Sequence, residues 1–331
     1  MKFLLFSRDL RTHCLFRKSW ILAAEKIGSE IDYFNRGFGF SRIFIALFKF
    51  ITNFNARRVV FGTAEICLYL VFSNKKDILV FTGLGRLFLN DFYLQFIRYY
   101  FRIFYRKQTI VALNEDDAEI LSRIFLLKPV VIDGEGYLFN INNISSLKNA
   151  PDNAGIKFAY IGRMLKSKGV DTLINTFAEY SHQNWILYLI GDCDFDNGDS
   201  LSETDFISAQ KKSIGEIIQL GFQNNISKAI ADVDILISLS HREGLPFSVL
   251  DGISNGLSIV LSPVPGHLSF NNLPGVFILK DNNVQEFFIN LNASRDLYME
   301  FNREERLKIV DAKFGQHAIV NSIVDKVYSL K

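Results

Sequence analysis

Between Gly162 and Gly169 the chain reads Gly162-Arg163-Met164-Leu165-Lys166-Ser167-Lys168-Gly169, and the helical run Val170–Tyr180 follows. The leading glycine allows a tight exit from the apolar run Phe158–Ile161. Arg163 and Lys168 then set two fixed cations near a helix N-terminus, an arrangement that suits a phosphate group. Arginine grips phosphate through a planar fork and lysine adds a compact charge. A solvated turn with ordinary basic residues accounts for this string equally well when it is taken alone. A second string, Ser238-Leu239-Ser240-His241-Arg242-Glu243-Gly244-Leu245-Pro246-Phe247-Ser248-Val249-Leu250-Asp251, follows the run Ile235–Ile237. Pro246 suits the first turn of a helix, which leaves Glu243 in a loop and Asp251 one to two turns into the helix. Two carboxylates at that spacing can enter one site at different depths and accept hydrogen bonds from neighbouring sugar hydroxyls. Free N–H groups around Phe247 and Ser248 are placed for a second phosphate contact. An acid complementing a helix dipole would explain Glu243, but not the whole Glu-Gly-Leu-Pro string.

Other chemistry is thinly supplied. Cys14, Cys67 and Cys193 are too scattered for a disulfide framework or a zinc site and fit a reducing compartment. The five histidines form no HxxxH pair, so no metal centre is expected from them. Asp192-Cys193-Asp194-Phe195-Asp196 imitates a metal-binding acidic motif and is read here as a structural loop. Residues Phe92–Lys107, FYLQFIRYYFRIFYRK, carry Arg98, Arg102 and Arg106 at helical spacing among aromatics. Such a stripe suits an anionic lipid surface, and Phe38–Phe54 is a second candidate. A buried helix with a solvated basic edge is the plainer alternative for part of each. No nucleic-acid motif accompanies them.

These strings need a frame to hold them. Six short apolar runs (Phe3–Phe6, Ile31–Phe34, Val59–Phe61, Ile78–Phe81, Thr109–Leu113, Val130–Ile132) alternate with helical segments in the first half. Six more (Phe158–Ile161, Ile186–Ile190, Glu216–Leu220, Ile235–Ile237, Ser258–Leu261, Val276–Leu279) do so in the second. Runs of this length separated by helices predict parallel βα units, enough in each half for one Rossmann-like sheet. The polar stretch Asn140–Gly155 reads as the linker between domains 1–150 and 151–331. Arg303–Phe314 and Gln316–Leu330 read as helices, the last packing back on the first domain. The 331 residues carry a net charge of only +2. Residues 1–150, however, hold 21 Lys/Arg against 13 Asp/Glu and 20 of the 32 Phe. Two modules with different partners follow from that asymmetry. The sequence shows no signal peptide and no uninterrupted apolar stretch of spanning length, so a soluble or surface-attached protein is expected.

Taken together, Gly162-Arg163…Lys168-Gly169, Ala231-Asp232-Val233-Asp234, Glu243-Gly244-Leu245-Pro246…Asp251, Asn255-Gly256 and Val264-Pro265-Gly266 resemble the C-terminal domain of family 4 retaining glycosyltransferases. The resemblance implies an α/β protein of GT-B fold, two facing Rossmann-like domains with a central cleft. It implies that Arg163 and Lys168 hold the diphosphate of a nucleotide-sugar donor, with Gly162, Gly244, Leu245, Pro246, Phe247 and Ser248 around it. It implies that Glu243 touches the transferred sugar and that Asp251 stands where the family usually binds ribose with a glutamate. The closing motif reads Pro265-Gly266-His267-Leu268-Ser269, where relatives often have an acidic residue. Thr82-Gly83-Leu84-Gly85-Arg86 resembles the acceptor-side loop of bacterial enzymes that build surface polysaccharides and lipid-linked oligosaccharides. His13, after the first strand, is placed either to meet an acceptor hydroxyl or merely to cap or pack. Asp133-Gly134-Glu135-Gly136-Tyr137 resembles the glycine-rich segment that precedes the family's linker. The expected activity is transfer of a sugar to a lipid-linked or growing saccharide acceptor, without metal or resident cofactor. The expected place is the cytoplasmic face of the membrane, with an undecaprenyl-type carrier as a partner. The alternatives are a same-fold sugar-phosphate synthase or phosphorylase with a soluble acceptor, and a non-catalytic partner subunit.

Overall fold

The computed structural model describes residues 2–7, 17–35, 40–84, 91–139, 155–194 and 197–329. The chain divides into two compact units, one of Met1–Leu138 with Asp311–Lys331 and one of Phe139–Val310. The sequence places its boundary between residues 150 and 151, in a stretch outside the described residues, with the last helix packing back on the first domain.

The first unit carries strands β1 (Lys2–Ser7), β2 (Glu30–Asn35), β3 (Arg57–Phe61), β4 (Ile78–Phe81), β5 (Thr109–Ala112) and β6 (Val130–Val131). They form one parallel sheet in the order β2-β1-β3-β4-β5-β6. Its helices are α1 (Lys18–Lys26), α2 (Phe40–Thr52), α3 (Thr63–Tyr69), α4 (Asp91–Phe104) and α5 (Glu115–Phe125). Inner strands such as β4 (Ile78–Phe81, all buried) are continuous apolar runs because both faces of the sheet are covered, while the edge strand β2 carries Glu30 and Asp32. On one face Ala46, Phe50, Ile66, Tyr69, Ile97 and Phe101 bring α2, α3 and α4 into a single cluster.

The second unit repeats the plan with β7 (Lys157–Ile161), β8 (Ile186–Ile190), β9 (Glu216–Gly221), β10 (Ile235–Ser238), β11 (Ser258–Leu261) and β12 (Val276–Ile278). The order is β12-β11-β10-β7-β8-β9, again parallel. Helices α6 (Val170–Tyr180), α7 (Glu203–Lys212), α8 (Ile226–Ala229), α9 (Phe247–Ser254), α10 (Val284–Ala293), α11 (Arg295–Met299) and α12 (Arg303–Phe314) complete it, α12 running across the boundary at Val310. Phe158 packs edge to face on Phe177 and Phe288 and at a tilt on Trp185 at the heart of this core. On the opposite face α9 lies very close to the sheet, since a Cβ on Gly252 would stand 2.7 Å from Ile259 Cδ1.

The last α-helix, α13 (Gln316–Ile323), and the π-helical segment Val324–Tyr328 belong to the first unit. Ile319, Ile323 and Tyr328 join Trp20, Ala23 and Ala24 of α1 on the face of the first sheet that α2 and α4 leave open. Arg57 donates to the carbonyls of Tyr328 (2.9 Å) and Val327 (3.0 Å). The Gly-rich segment meets this return: Tyr137 N–H donates to Phe314 O, and Tyr137 O accepts from Gln316 N–H, each at 2.9 Å.

Two expectations need correction. Arg106 lies past the end of α4 and donates to Ser73 O at 3.3 Å, so only Arg98 and Arg102 stand on the helix. Pro246 is the N-cap of α9 rather than part of its first turn. Its ψ of 110° keeps it extended, and the helix begins one residue later.

Candidate functional site

In the second unit the strand order reverses between β7 and β10. Open α/β sheets bind ligands beyond the carboxyl ends of their strands at such a switch point. The loops that leave β7 and β10 are the two strings singled out by their chemistry.

The β7 exit is shaped by close backbone approach. Gly162 N–H donates to Ile190 O and Gly191 N–H to Gly221 O, each at 2.9 Å, which extends the sheet past its strands. A Cβ on Gly191 would stand 2.1 Å from Gly162 O, so no side chain fits. Tyr160 Oη donates to Arg163 O at 2.8 Å and pins the turn. Arg163 pairs with Asp194 at 3.2 Å. Lys168 ends a short 3-10 turn, Lys166–Lys168, and its Nζ stands 2.5 Å from Glu243 Oε1. The two sequence-selected loops therefore meet through their charged residues.

Glu243 is held from several sides. Ser240 Oγ donates to the same Oε1 at 2.8 Å. His241 N–H donates to Ser167 O at 3.0 Å, lacing the two loops by their backbones. Gly169, at φ 70°, passes so close that a Cβ would stand 2.3 Å from Leu239 O. Gly266, at φ 85°, would place a Cβ 2.0 Å from Gly244 O, so the third loop braces the second from beneath. Beside it His267 is fully buried. Its Nδ1 faces Ser262 O at 3.0 Å, and a carbonyl only accepts, so Nδ1 carries the proton and Nε2 faces Ser238 Oγ at 3.3 Å. Burial lowers its pKa and keeps the ring neutral. Ser262 Oγ donates to Ser240 O at 2.6 Å and completes the brace.

Pro246, the N-cap of α9, makes no side-chain cap hydrogen bond, and Phe247 and Ser248 form the first turn of the helix. Leu245 is half-buried in the loop, and Asp251 is the fifth residue of α9, also half-buried. Other parts of the resemblance are structural. Asp234 ties β10 to β7, accepting from Lys157 N–H at 2.8 Å, and Gly256, at φ 73°, ends α9. The acidic loop is turned to local work, Asp192 accepting from Phe222 N–H at 2.9 Å while Asp194 takes Arg163. Asp196 lies outside the described residues.

A cavity of about 470 Å³ opens beside Arg163, lined by Gly162, Gly191, Cys193, Phe222, Gln223 and Ile226 among others. Sequence reasoning missed it, together with Ser240, Ser262 and His267. The glycine ending each of β7, β8 and β9 was its only signal.

On the first unit, Thr82 and Gly83 follow β4, and Thr63 Oγ1 donates to Gly83 O at 3.0 Å. Arg86 and His13 lie outside the described residues. Glu135 is buried against Arg17. Burial raises its carboxyl to about 7, against the pull of Arg17.

Residues 144–292 match the family model of glycosyl transferases group 1. No curated protein matches the chain by sequence. Solved glycosyltransferase structures share the fold over the whole chain. The Anabaena protein HepE in complex with UDP and glucose superposes with a TM-score of 0.72 at 14% identity, covering 100% of both chains. WaaG, a glycosyltransferase involved in lipopolysaccharide biosynthesis, gives 0.67 at 13%, covering 99% of this chain and 100% of its own. Sucrose-phosphate synthase from Thermosynechococcus elongatus gives 0.72 at 14%, covering 98% and 97%. The chain thus has the GT-B architecture and resembles the glycosyltransferases of lipopolysaccharide and polysaccharide synthesis. The family match spans the laced loops, Arg163, Lys168, Glu243 and Asp251 included.

Proposed function

We propose that the protein is a retaining glycosyltransferase that moves a sugar from a nucleotide-diphosphate sugar to a lipid-linked or growing saccharide acceptor. The observation that carries this reading is the Lys168–Glu243 pair at the switch point, with Arg163 and the cavity beside it. Arg163, Lys168 and the first turn of α9 at Phe247–Ser248 bind the diphosphate and stabilise the charge that builds as it departs. Glu243 orients the sugar, Asp251 takes the ribose, and the cavity receives the base. The departing phosphate accepts the proton of the acceptor hydroxyl on the same face, so no protein nucleophile enters. A uridine donor is supported by HepE, whose structures hold UDP and UDP-glucose. Two protein cations at the diphosphate make a divalent ion unnecessary, and activity is expected to persist in excess EDTA.

The names of WaaG and of the lipopolysaccharide galactosyltransferase WaaB support an acceptor of the cell envelope. Thr82, Gly83, His13 and Arg86 are the proposed acceptor side, and peripheral attachment to the inner face of the cytoplasmic membrane belongs to the same reading. The likeness to sucrose-phosphate synthase favours a second reading, a soluble acceptor. A screen of labelled UDP-, GDP- and ADP-sugars separates them. Label passing into organic-extractable product supports the first, water-soluble product the second, and no hydrolysis of any donor overturns both.

A further inference from the structure

We infer that the outer face of α2 and α4 is a docking surface for an anionic lipid bilayer. This deepens the lipid-linked reading proposed above and rests on it. Nineteen large apolar side chains are exposed among the described residues, and these two helices hold seven of them. On α2, Phe44, Phe48 and Ile51 repeat at i, i+4 and i+7, with Ile45 alongside. Phe44 is 68% exposed and Phe48 67%. On α4, Phe96, Tyr99 and Ile103 repeat at i, i+3 and i+7, the first two 63% and 66% exposed. A surface helix of a soluble protein turns its apolar stripe to the core. Here each helix has two, an inner one packed on the sheet (Ala46 and Phe50; Ile97 and Phe101) and an outer one.

The outer stripes lie on one side of the unit. Both helices pack into the same core cluster on one face of the first sheet. Their C-terminal ends are tied into a row. Arg58 donates to Phe50 O at the end of α2 (2.7 Å) and to Phe72 O (3.4 Å), and Arg106, just past α4, donates to Ser73 O. Exposed Phe54 and Phe72 close that end of the row.

Charge chooses the occupant. Lys49 is exposed on α2, and Arg98 and Arg102 are exposed on α4, one turn apart beside the aromatics. The only carboxylate in either helix is Asp91, the first residue of α4. A second copy of this face would set like charges against each other, which costs affinity. An anionic bilayer answers the cations at its headgroups and takes the aromatic stripes just below them. No helix among the described residues is long and apolar enough to cross a membrane, so these lie along its surface.

The test is flotation of the full chain with vesicles of phosphatidylcholine alone or mixed with phosphatidylglycerol, at low and high salt, alongside donor hydrolysis in solution. Wild type should float with the anionic vesicles. Arg98→Gln/Arg102→Gln should lose several-fold at low salt and converge with wild type at high salt. Phe44→Ser/Phe48→Ser should lose at least about tenfold at both. Both variants should hydrolyse donor as wild type does, which also reports that they fold. The inference is overturned if wild type ignores anionic vesicles, if the serine variant floats equally well, or if wild type is a dimer that this variant makes monomeric. Hydrolysis without flotation removes the docking face and leaves the transferase; flotation without hydrolysis supports the face and removes the transferase.

Discussion

Lys168 Nζ and Glu243 Oε1 stand 2.5 Å apart, joining the two loops that flank the switch point of the second sheet. The lysine is about a quarter exposed and the glutamate less, so water screens the pair only partly. A diphosphate arriving here finds a lysine already aimed and a carboxylate with one oxygen engaged.

Replacing Lys168 by Ala should remove a charge-assisted contact to the donor worth roughly 1.5–3 kcal/mol, and Arg163→Ala should do the same. Because negative charge grows on the leaving group, kcat should fall along with donor affinity. Steady-state kinetics checks this. Unchanged rates in both variants would remove the donor site from these loops.

Asp251 should respond to length and charge separately. Asp251→Glu extends the carboxylate by one methylene and should keep or improve donor affinity. Asp251→Asn removes the charge and should weaken it. Titration calorimetry with the donor decides, and tolerance of Asn without tolerance of Glu would give the carboxylate another role.

Gly266→Ala should damage activity more than stability. The new Cβ must push against Gly244 O from a backbone at φ 85°, a conformation that costs alanine roughly 1–2 kcal/mol. The Glu243–Gly244 loop is the part that gives way. Donor kcat/KM should drop about tenfold or more while the melting temperature moves by only a few degrees. Wild-type kinetics in this variant would mean that the brace is dispensable.

Glu135 gives the fold a pH dependence of stated sign. Its carboxyl is raised from 4.5 to about 7 in the folded protein. Between those values the folded state holds a proton that the unfolded chain has released. Its contribution to stability is therefore lost as pH rises across that window, by roughly 1–3 kcal/mol. Urea midpoints of wild type and Glu135→Gln, compared from pH 5 to pH 8, should converge on one side of the window and diverge on the other. Parallel curves would mean that Glu135 does not titrate there.

Strands were the most legible part of the sequence. All twelve apolar runs became strands; inner parallel strands buried on both faces, such as β10 and β11, carry their signal in every residue. That Arg163, Lys168 and Glu243 stand in loops after strands was legible in the apolar runs before them; their roles were not, since a solvated turn accounts for the first string equally well when it is taken alone. Ser240, Ser262 and His267 were not legible, since their role is set by neighbours brought together only by the sheet. The true limit of α4 was also hidden. Arg106 continues the periodicity of Arg98 and Arg102 in sequence, yet the carbonyl of Ser73, distant in the chain, captures it.

The return of α13 to the first unit has a consequence for the order in which a ribosome-bound chain can finish folding. One face of the first sheet is closed by Ile319, Ile323 and Tyr328 against Trp20. Those residues are synthesised only after the whole of the second unit. The half of the protein that is made first must wait, with Phe3 and Trp20 lacking their contact with Tyr328, while the half made second completes its own core. Chaperones that shield nascent apolar surface have their longest engagement with the earliest residues of this chain.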